Sequence, residues 1–557
     1  MRLLAQLAVL GGVLGVASGL PWLRADGLHH GDVSATVTAV LRDDDSHVSE
    51  LFFQQRLDHF ERQESRTFRQ RYFVNDRYWA GPASGAPVFL CVGGEGPPLT
   101  RSVVSSSVHC NDMVELAPQH DALLLAVEHR YYGKSNPFED WATEGLRWLS
   151  SQQALADLST LHAHITASHQ LTGSEKWVTW GGSYPGMLAG WARLKYPHLF
   201  HAAVSSSSPL LAQLDFPEYN AVVREALSNG RVGGSKACAE AVAKGHEVIG
   251  QMLQEADGRK ELVERFGLCD PLSLEDEAAR VSFAGDGVVL LPIQENDPAC
   301  SGEVCDIAGV CRVMTDATLG CEVRRLATLR ALQQTAEEVQ AAAAAAVALA
   351  GEGPGPRGCG DLGGHSWAPP ALGGVGDWAR NVSNPDRAWL FQTCTEFGFY
   401  QTCEAGSTCP FTQGLHTLDL DLQRCRKAFG PASQAVETPS WVPVGQQVQL
   451  TNLYYGGDRP SGSRVMFPNG EVDPWHALGV LKSPGPDLPV LYVRGASHHF
   501  WTHPSRPTDA LEVVAARRAI WAQVNAWLGE DLPGYGYGST SGSGFDRTNA
   551  FRPQAVE

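Results

Sequence analysis

Lys176-Trp177-Val178-Thr179-Trp180-Gly181-Gly182-Ser183-Tyr184-Pro185-Gly186, continued by Met187 to Leu194, reads as a short strand, a tight glycine-serine turn and a helix. Such a nearly continuous apolar strand suits a parallel sheet covered on both faces. A strand that passes straight into a helix on a serine is the setting of a nucleophile elbow. There the serine backbone is strained, its hydroxyl stands above the sheet, and small residues must flank it because neighbouring strands press close. Gly181 stands at the first glycine of GxSxG, whereas Pro185 stands at the second and Gly186 follows it. Alone, the pattern also describes a glycine-serine turn of no chemical importance, so its partners decide.

Outward from the turn, Ala86-Pro87-Val88-Phe89-Leu90-Cys91-Val92 and Ala122-Leu123-Leu124-Leu125-Ala126-Val127 are further buried-strand candidates. Gln152 to His169 has helical spacing, with Leu155, Leu158, Leu161 and Ile165 on one stripe. Val465-Met466-Phe467 and Pro489-Val490-Leu491-Tyr492-Val493 supply two late strands, and Ala510 to Leu528 a last amphipathic helix. This alternation predicts an α/β chain with a doubly wound sheet, specifically an α/β-hydrolase fold. Between about Leu210 and Val444 the alternation fails and helical stretches mix with cysteines and Gly/Pro loops. One of them, Thr335 to Ala350, is an Ala- and Glu-rich helix former that stops at Gly351-Glu352-Gly353-Pro354-Gly355-Pro356. The expected organisation is a signal peptide over 1–19, a hydrolase domain in two parts (50–209 and 445–530), an inserted, mainly helical, disulfide-rich cap over 210–444, and a Gly/Ser-rich disordered tail over 533–557.

Composition excludes several classes. The chain has 557 residues, 43% of them hydrophobic, enough for a large core and a second subdomain. Lys and Arg total 43 against 61 Asp and Glu, and the net charge of -18 disfavours nucleic acid and anionic membranes as partners. Leu3 to Val16 is an apolar run before Ala17-Ser18-Gly19, about 14 residues where roughly 20 are needed to span a bilayer, so it reads as a cleaved secretory address. Thirteen cysteines on that route imply disulfides with at least one thiol left over. Zinc is the rival reading, but Cys300, Cys305 and Cys311 lack the tight CxxC pairs and histidines such sites use. No cofactor or metal is expected. Asn381-Val382-Ser383 is a glycosylation sequon.

In hydrolases of this fold the acid and the histidine follow the serine on late strands. Phe467-Pro468-Asn469-Gly470-Glu471-Val472-Asp473-Pro474-Trp475 places the only aspartate of its loop after one late strand, and Gly495-Ala496-Ser497-His498-His499 places two histidines after the next. Asp473 and His498 are 25 positions apart, room for one crossover. Glu471 is expected to be solvated or to face substrate, and His59 and His129 to be hydrogen-bonded structural residues.

The chain resembles the lysosomal serine peptidase family that includes prolyl carboxypeptidase, dipeptidyl peptidase II and thymus-specific serine protease. The resembling segments are Phe53 to Phe60, Gly93-Gly94-Glu95-Gly96, Glu128 to Gly133, the Ser183 elbow, Cys394-Thr395-Glu396, Asn469 to Trp475 and Ser497-His498-His499. Pro185 looks most like the thymus-specific branch; the two exopeptidase branches carry glycine there, so their preferences need not transfer.

The resemblance aligns its histidine with His498 rather than His499, and implies Ser183 as nucleophile, His498 as base and Asp473 as the acid that orients it. Together with the fold it implies oxyanion donors at Tyr184 and, from the glycine loop, Gly94. Met187 and Trp475 correspond to pocket positions of proline-specific relatives, with Trp501 and Phe399 as weaker candidates; core packing is the plainer reading of each, and the favoured one for Phe399. The expected activity is peptide hydrolysis near a terminus, of carboxypeptidase or dipeptidyl-peptidase type, after proline or small apolar residues and at mildly acidic pH. An esterase or lipase of the same fold and a catalytically silent binding protein are the alternatives; the absence of an HGGG loop disfavours the first, and the intact triad the second. Peptides are the expected partners, with a homodimer left open, and the compartment is lysosomal, vacuolar or extracellular.

Overall fold

The computed structural model describes residues 45–139, 143–268, 274–334, 385–429 and 443–529. The signal segment, the Thr335–Ala350 helix, the Gly/Pro punctuation after it, Asn381 and the tail lie outside the described residues.

An eight-stranded sheet forms the centre, in the order β1-β2-β4-β3-β5-β6-β9-β10. Its strands are β1 (Val48–Arg56), β2 (Thr67–Asn75), β3 (Val88–Val92), β4 (Leu123–Val127), β5 (Trp177–Gly182), β6 (Ala202–Ser206), β9 (Val465–Gly470) and β10 (Val490–Val493). β1 pairs antiparallel with β2, and β2 with β4. From β4 to β10 every pairing is parallel. The strands read as apolar runs because both faces are covered: Leu123, Leu125 and Val127 of β4 join one core cluster, and Leu124 and Ala126 the other. The helix Ser151–Ser168 packs on the first face, with Leu155, Leu158, Leu161 and Ile165 buried as its stripe predicts. The helix Leu511–Leu528 packs on the second. This is the α/β-hydrolase architecture.

The polar opening strands and β6 carry no sequence expectation above. β1 (VSELFFQQR) alternates buried and exposed residues because it lies at the sheet edge. Arg130 is buried beneath this edge, paired with Asp157, which also holds His59. His59 and His129 are hydrogen-bonded structural residues, as expected.

The intervening segment is largely helical with its own apolar cluster, in which Val242, Ile249, Leu262, Val310 and Met314 are buried. Disulfides Cys238–Cys311, Cys300–Cys305, Cys394–Cys425 and Cys403–Cys409 cross-link it, Cys91–Cys110 lies in the sheet domain, and Cys321 is an exposed free thiol. Strands β7 (Gln213–Asp215) and β8 (Gly398–Tyr400) pair parallel. The segment is not wholly separate: Trp389, Phe397 and Phe399 belong to the sheet's first core cluster. Among the described residues no helix is long and apolar enough to cross a membrane.

Candidate active site

Ser183 opens the helix Ser183–Lys195 directly from the end of β5, and its φ of 63° puts a non-glycine residue in the left-handed region. That strain is the local signature of an elbow. Crowding explains the glycines. A Cβ on Gly181 would lie 2.3 Å from the Pro185 carbonyl oxygen, and one on Gly186 would lie 2.3 Å from Ser208 Oγ and 2.8 Å from the Gly181 oxygen. The second close approach therefore falls on Gly186, one place beyond the usual pattern, and Pro185 sits half-buried between. A Cβ on Gly94 would meet Pro185 Cγ at 2.4 Å, so the backbone of the glycine loop lies directly against the elbow.

Asp473 and His498 come together because β9 and β10 are parallel neighbours whose following loops share one end of the sheet. Gly470 lets the loops touch, since a Cβ there would lie 2.5 Å from the Ala496 oxygen. His498 Nδ1 donates to Asp473 Oδ1 at 2.9 Å, both side chains being buried. Asp473 also caps the short helix Pro474–Leu478, its Oδ1 accepting from Trp475 N at 3.0 Å. His499 takes another place. Its N–H donates to Ser207 Oγ, its Nδ1 meets Thr502 Oγ1 at 3.1 Å, and its ring packs against Gly182.

Glu471 is half-buried, and its Oε2 accepts from Gly495 N at 2.8 Å and Asn229 Nδ2 at 3.2 Å, tying the two late loops to the insert.

Tyr184 is fully buried behind the elbow, its hydroxyl held by His129 Nε2 at 3.0 Å and Gln392 Nε2 at 2.9 Å. Burial pushes that phenol well above its ordinary range and lowers His129 to about 4. With the side chain fixed at both contacts, the Tyr184 backbone is fixed at the start of the helix.

Met187, Trp475 and Phe399 share one apolar cluster. Phe399 meets the Trp475 ring edge-on at 5.5 Å and has a φ of 66°, a strained backbone beside an aromatic wall. Phe216 and Tyr219 complete the surroundings of Trp475. Trp501 is not brought to this group. It lies in the cluster of the opposite face, its Nε1 donating to Ser206 Oγ at 2.9 Å. Gln294, which no sequence motif singles out, touches both Trp475 and the His498 backbone.

A family model described as serine carboxypeptidase S28 matches residues 55–353 and 373–520. The thymus-specific serine protease of Mus musculus is 36% identical over 489 residues, covering 86% of this chain and 87% of its own length. Its Homo sapiens counterpart is 35% identical over 485 residues, 86% of each chain. The lysosomal Pro-X carboxypeptidase of Homo sapiens is 26% identical over 519 residues, 91% of this chain and 93% of its own.

Proposed function

The chain belongs to the serine carboxypeptidase S28 family and is a serine peptidase, a hydrolase of peptide bonds, and from that premise we propose that Ser183 is its nucleophile, His498 its general base and Asp473 the orienting acid. The observation that carries this reading is the strained Ser183 at the head of its helix, on a sheet whose next late loops hold the 2.9 Å Asp473–His498 pair.

His498, with Nδ1–H on Asp473, presents Nε2 as the base. It takes the Ser183 hydroxyl proton as Oγ bonds to the scissile carbonyl carbon. The oxyanion is met by the backbone N–H groups of Tyr184 and Gly94, the second lying against the elbow at Pro185. Collapse breaks the C–N bond, and His498 passes its proton to the leaving amine. Water then attacks the acyl-enzyme with His498 again as base, releasing the acid and restoring Ser183.

Met187, Trp475 and Phe399 form the wall for the residue before the scissile bond. A flat indole beside a thioether suits a compact apolar ring without a backbone N–H, so proline is the preferred residue there. One relative is itself named for Pro-X cleavage. The disulfides and the lysosomal naming of that relative support passage through the secretory route to a lysosomal or extracellular site. Digesting a peptide library with the purified enzyme and reading the products by mass tests this. Terminal cleavage after proline or small apolar residues is expected; cuts in the middle of long folded proteins would overturn it.

A further inference from the structure

Four residues around the base close into one ring of hydrogen bonds. His498 N donates to the Gln294 carbonyl at 2.9 Å. His498 Nδ1 donates to Asp473 Oδ1, and the same oxygen accepts from Trp475 N. Trp475 Nε1 then donates to Gln294 Oε1 at 2.8 Å, which returns the path to its start. All four side chains are buried: Asp473 is 0% exposed, His498 6%, and Gln294 and Trp475 8% each. Three members belong to the proposed triad and pocket; the fourth comes from the inserted segment.

The chemistry of the contact fixes how Gln294 lies. An indole N–H can only donate, so the amide oxygen faces Trp475 and the NH2 group is turned away. The same oxygen accepts from Tyr219 Oη at 2.9 Å, so two aromatic donors hold it. The segment that carries Gln294 is itself braced against the histidine loop. Ser497 Oγ donates to the Asn296 carbonyl, Arg506 reaches Asp297 at 2.9 Å, and Asn296 Oδ1 caps the helix Ile307–Thr315 at Ile307 N.

We propose that Gln294 is a positioning residue: through one backbone and one side-chain acceptor it sets the place of the His498 loop and the plane of the Trp475 indole together, so that the insert is part of the catalytic geometry and not only a cover over it. This rests on the triad reading above. In a closed buried network the loss of one link is felt by the others, and an orphaned indole N–H has no water to turn to. Base and pocket wall are then released at once, which predicts a fall in kcat on peptides as well as a rise in KM.

The test is a double-mutant cycle between Gln294→Met and Trp475→Phe in the full-length enzyme, with kcat/KM on a Pro-X peptide normalised to the fraction that folds by thermal melt. Gln294→Met keeps the backbone contact and removes the side-chain acceptor; Trp475→Phe removes the matching donor. Each should lower kcat/KM roughly tenfold to a hundredfold, and Gln294→Met should cost less than about threefold more once Trp475 is Phe. An equal factor in both backgrounds, or an unaltered kcat/KM in Gln294→Met, would overturn the proposal. Should Gln294→Met not fold, Trp475→Phe alone decides: an unaltered kcat would contradict it. His498→Ala separates this from the underlying reading, because a variant that stays active there discredits the triad, whereas an inactive one beside a neutral Gln294→Met discredits only Gln294.

Discussion

Two of the histidine-aspartate arrangements among the described residues, one in the sheet domain and one in the insert, differ in how many carboxylates hold the ring. In the sheet domain His498 bonds Asp473 through Nδ1. In the insert His416 bonds Asp286 through Nδ1 and Asp421 through Nε2, while Arg424 holds the other Asp421 oxygen at 2.6 Å. Burial opposes charge on the His416 ring, but the two carboxylates outweigh it and raise the group to about 10. At neutral pH it is held as an imidazolium that ties the loop at Asp286 to the helix Leu418–Phe429, and with both nitrogens occupied it cannot take a proton from a nucleophile. A histidine gripped by two carboxylates is thus a structural tie, whereas one oriented by a single aspartate is the arrangement proposed above for the base.

The largest expected effect separates the two. His498→Ala should lower kcat by about four orders of magnitude or more with the fold intact. His416→Ala should leave turnover per folded molecule within about threefold yet cost about 2–4 kcal/mol in denaturant unfolding, since it leaves the half-buried Asp286 without its partner and Asp421 with Arg424 alone. Turnover losses of similar size in both variants would erase the distinction.

A second effect is a matter of pH. The folded His416 pKa lies above the ordinary 6.5, so its contribution is complete below about 6.5 and is lost as pH rises toward about 10. Unfolding free energies of wild type and His416→Gln should therefore converge across that window; a constant gap would contradict the charged-tie reading.

The pocket sharpens the sheet side of the comparison. Trp475→Ala should lower kcat/KM on proline peptides roughly tenfold to a hundredfold and on unactivated esters to a smaller extent, since esters lose the positioning of the base but not the wall for proline, measured side by side. Equal losses would mean that Trp475 only positions the base and forms no wall for proline.

The last effect lies where insert and sheet domain meet. Glu396 is raised to about 7 by burial, with the Ser151 hydroxyl and N–H pulling the other way. A carboxyl with a raised folded pKa favours the folded state progressively as pH falls from about 7 to about 4.5. Wild type should gain up to about 3 kcal/mol over that range relative to Glu396→Gln, read by urea unfolding at each pH. Asp112, raised to about 7, adds in the same direction, while His129 and His246, lowered to about 4 and about 3, oppose it. Those terms are common to both proteins and drop out of the difference.

The central parallel strands were legible because burial on both faces leaves continuous apolar runs: β3, β4 and β5 begin within a residue or two of where Ala86, Ala122 and Lys176 open their runs, and the edge strand β10 was legible from its Val490-Leu491-Tyr492-Val493 composition alone. β1 and β2 were not, since they bury the polar side chains Gln55, Gln70, Arg71 and Asn75 and so show neither an apolar run nor a clean alternation. β6, AAVSS, has too little bulk to signal a strand although it is fully buried. At the proposed site, the serine stood out by the glycines around it, and the aspartate and histidine by following late strands in the order this fold uses. The elbow's glycine was off by one place, as only the packing of Ser208 against Gly186 reveals which position needs the missing Cβ. Trp501 carried no sign of facing away, because which side of the sheet a loop tryptophan takes is decided by the helix Leu511–Leu528 that covers it. Gln294 was invisible altogether: a polar residue in an irregular insert acquires its meaning from Trp475 and His498, about two hundred positions on.

The most direct measurement is fluorophosphonate labelling of wild type, Ser183→Ala, His498→Ala and His416→Ala, followed by mass mapping of the adduct. The account predicts stoichiometric modification of Ser183 in wild type and in folded His416→Ala, strong slowing in His498→Ala, and none in Ser183→Ala. An adduct formed at an unaltered rate on folded Ser183→Ala would contradict it.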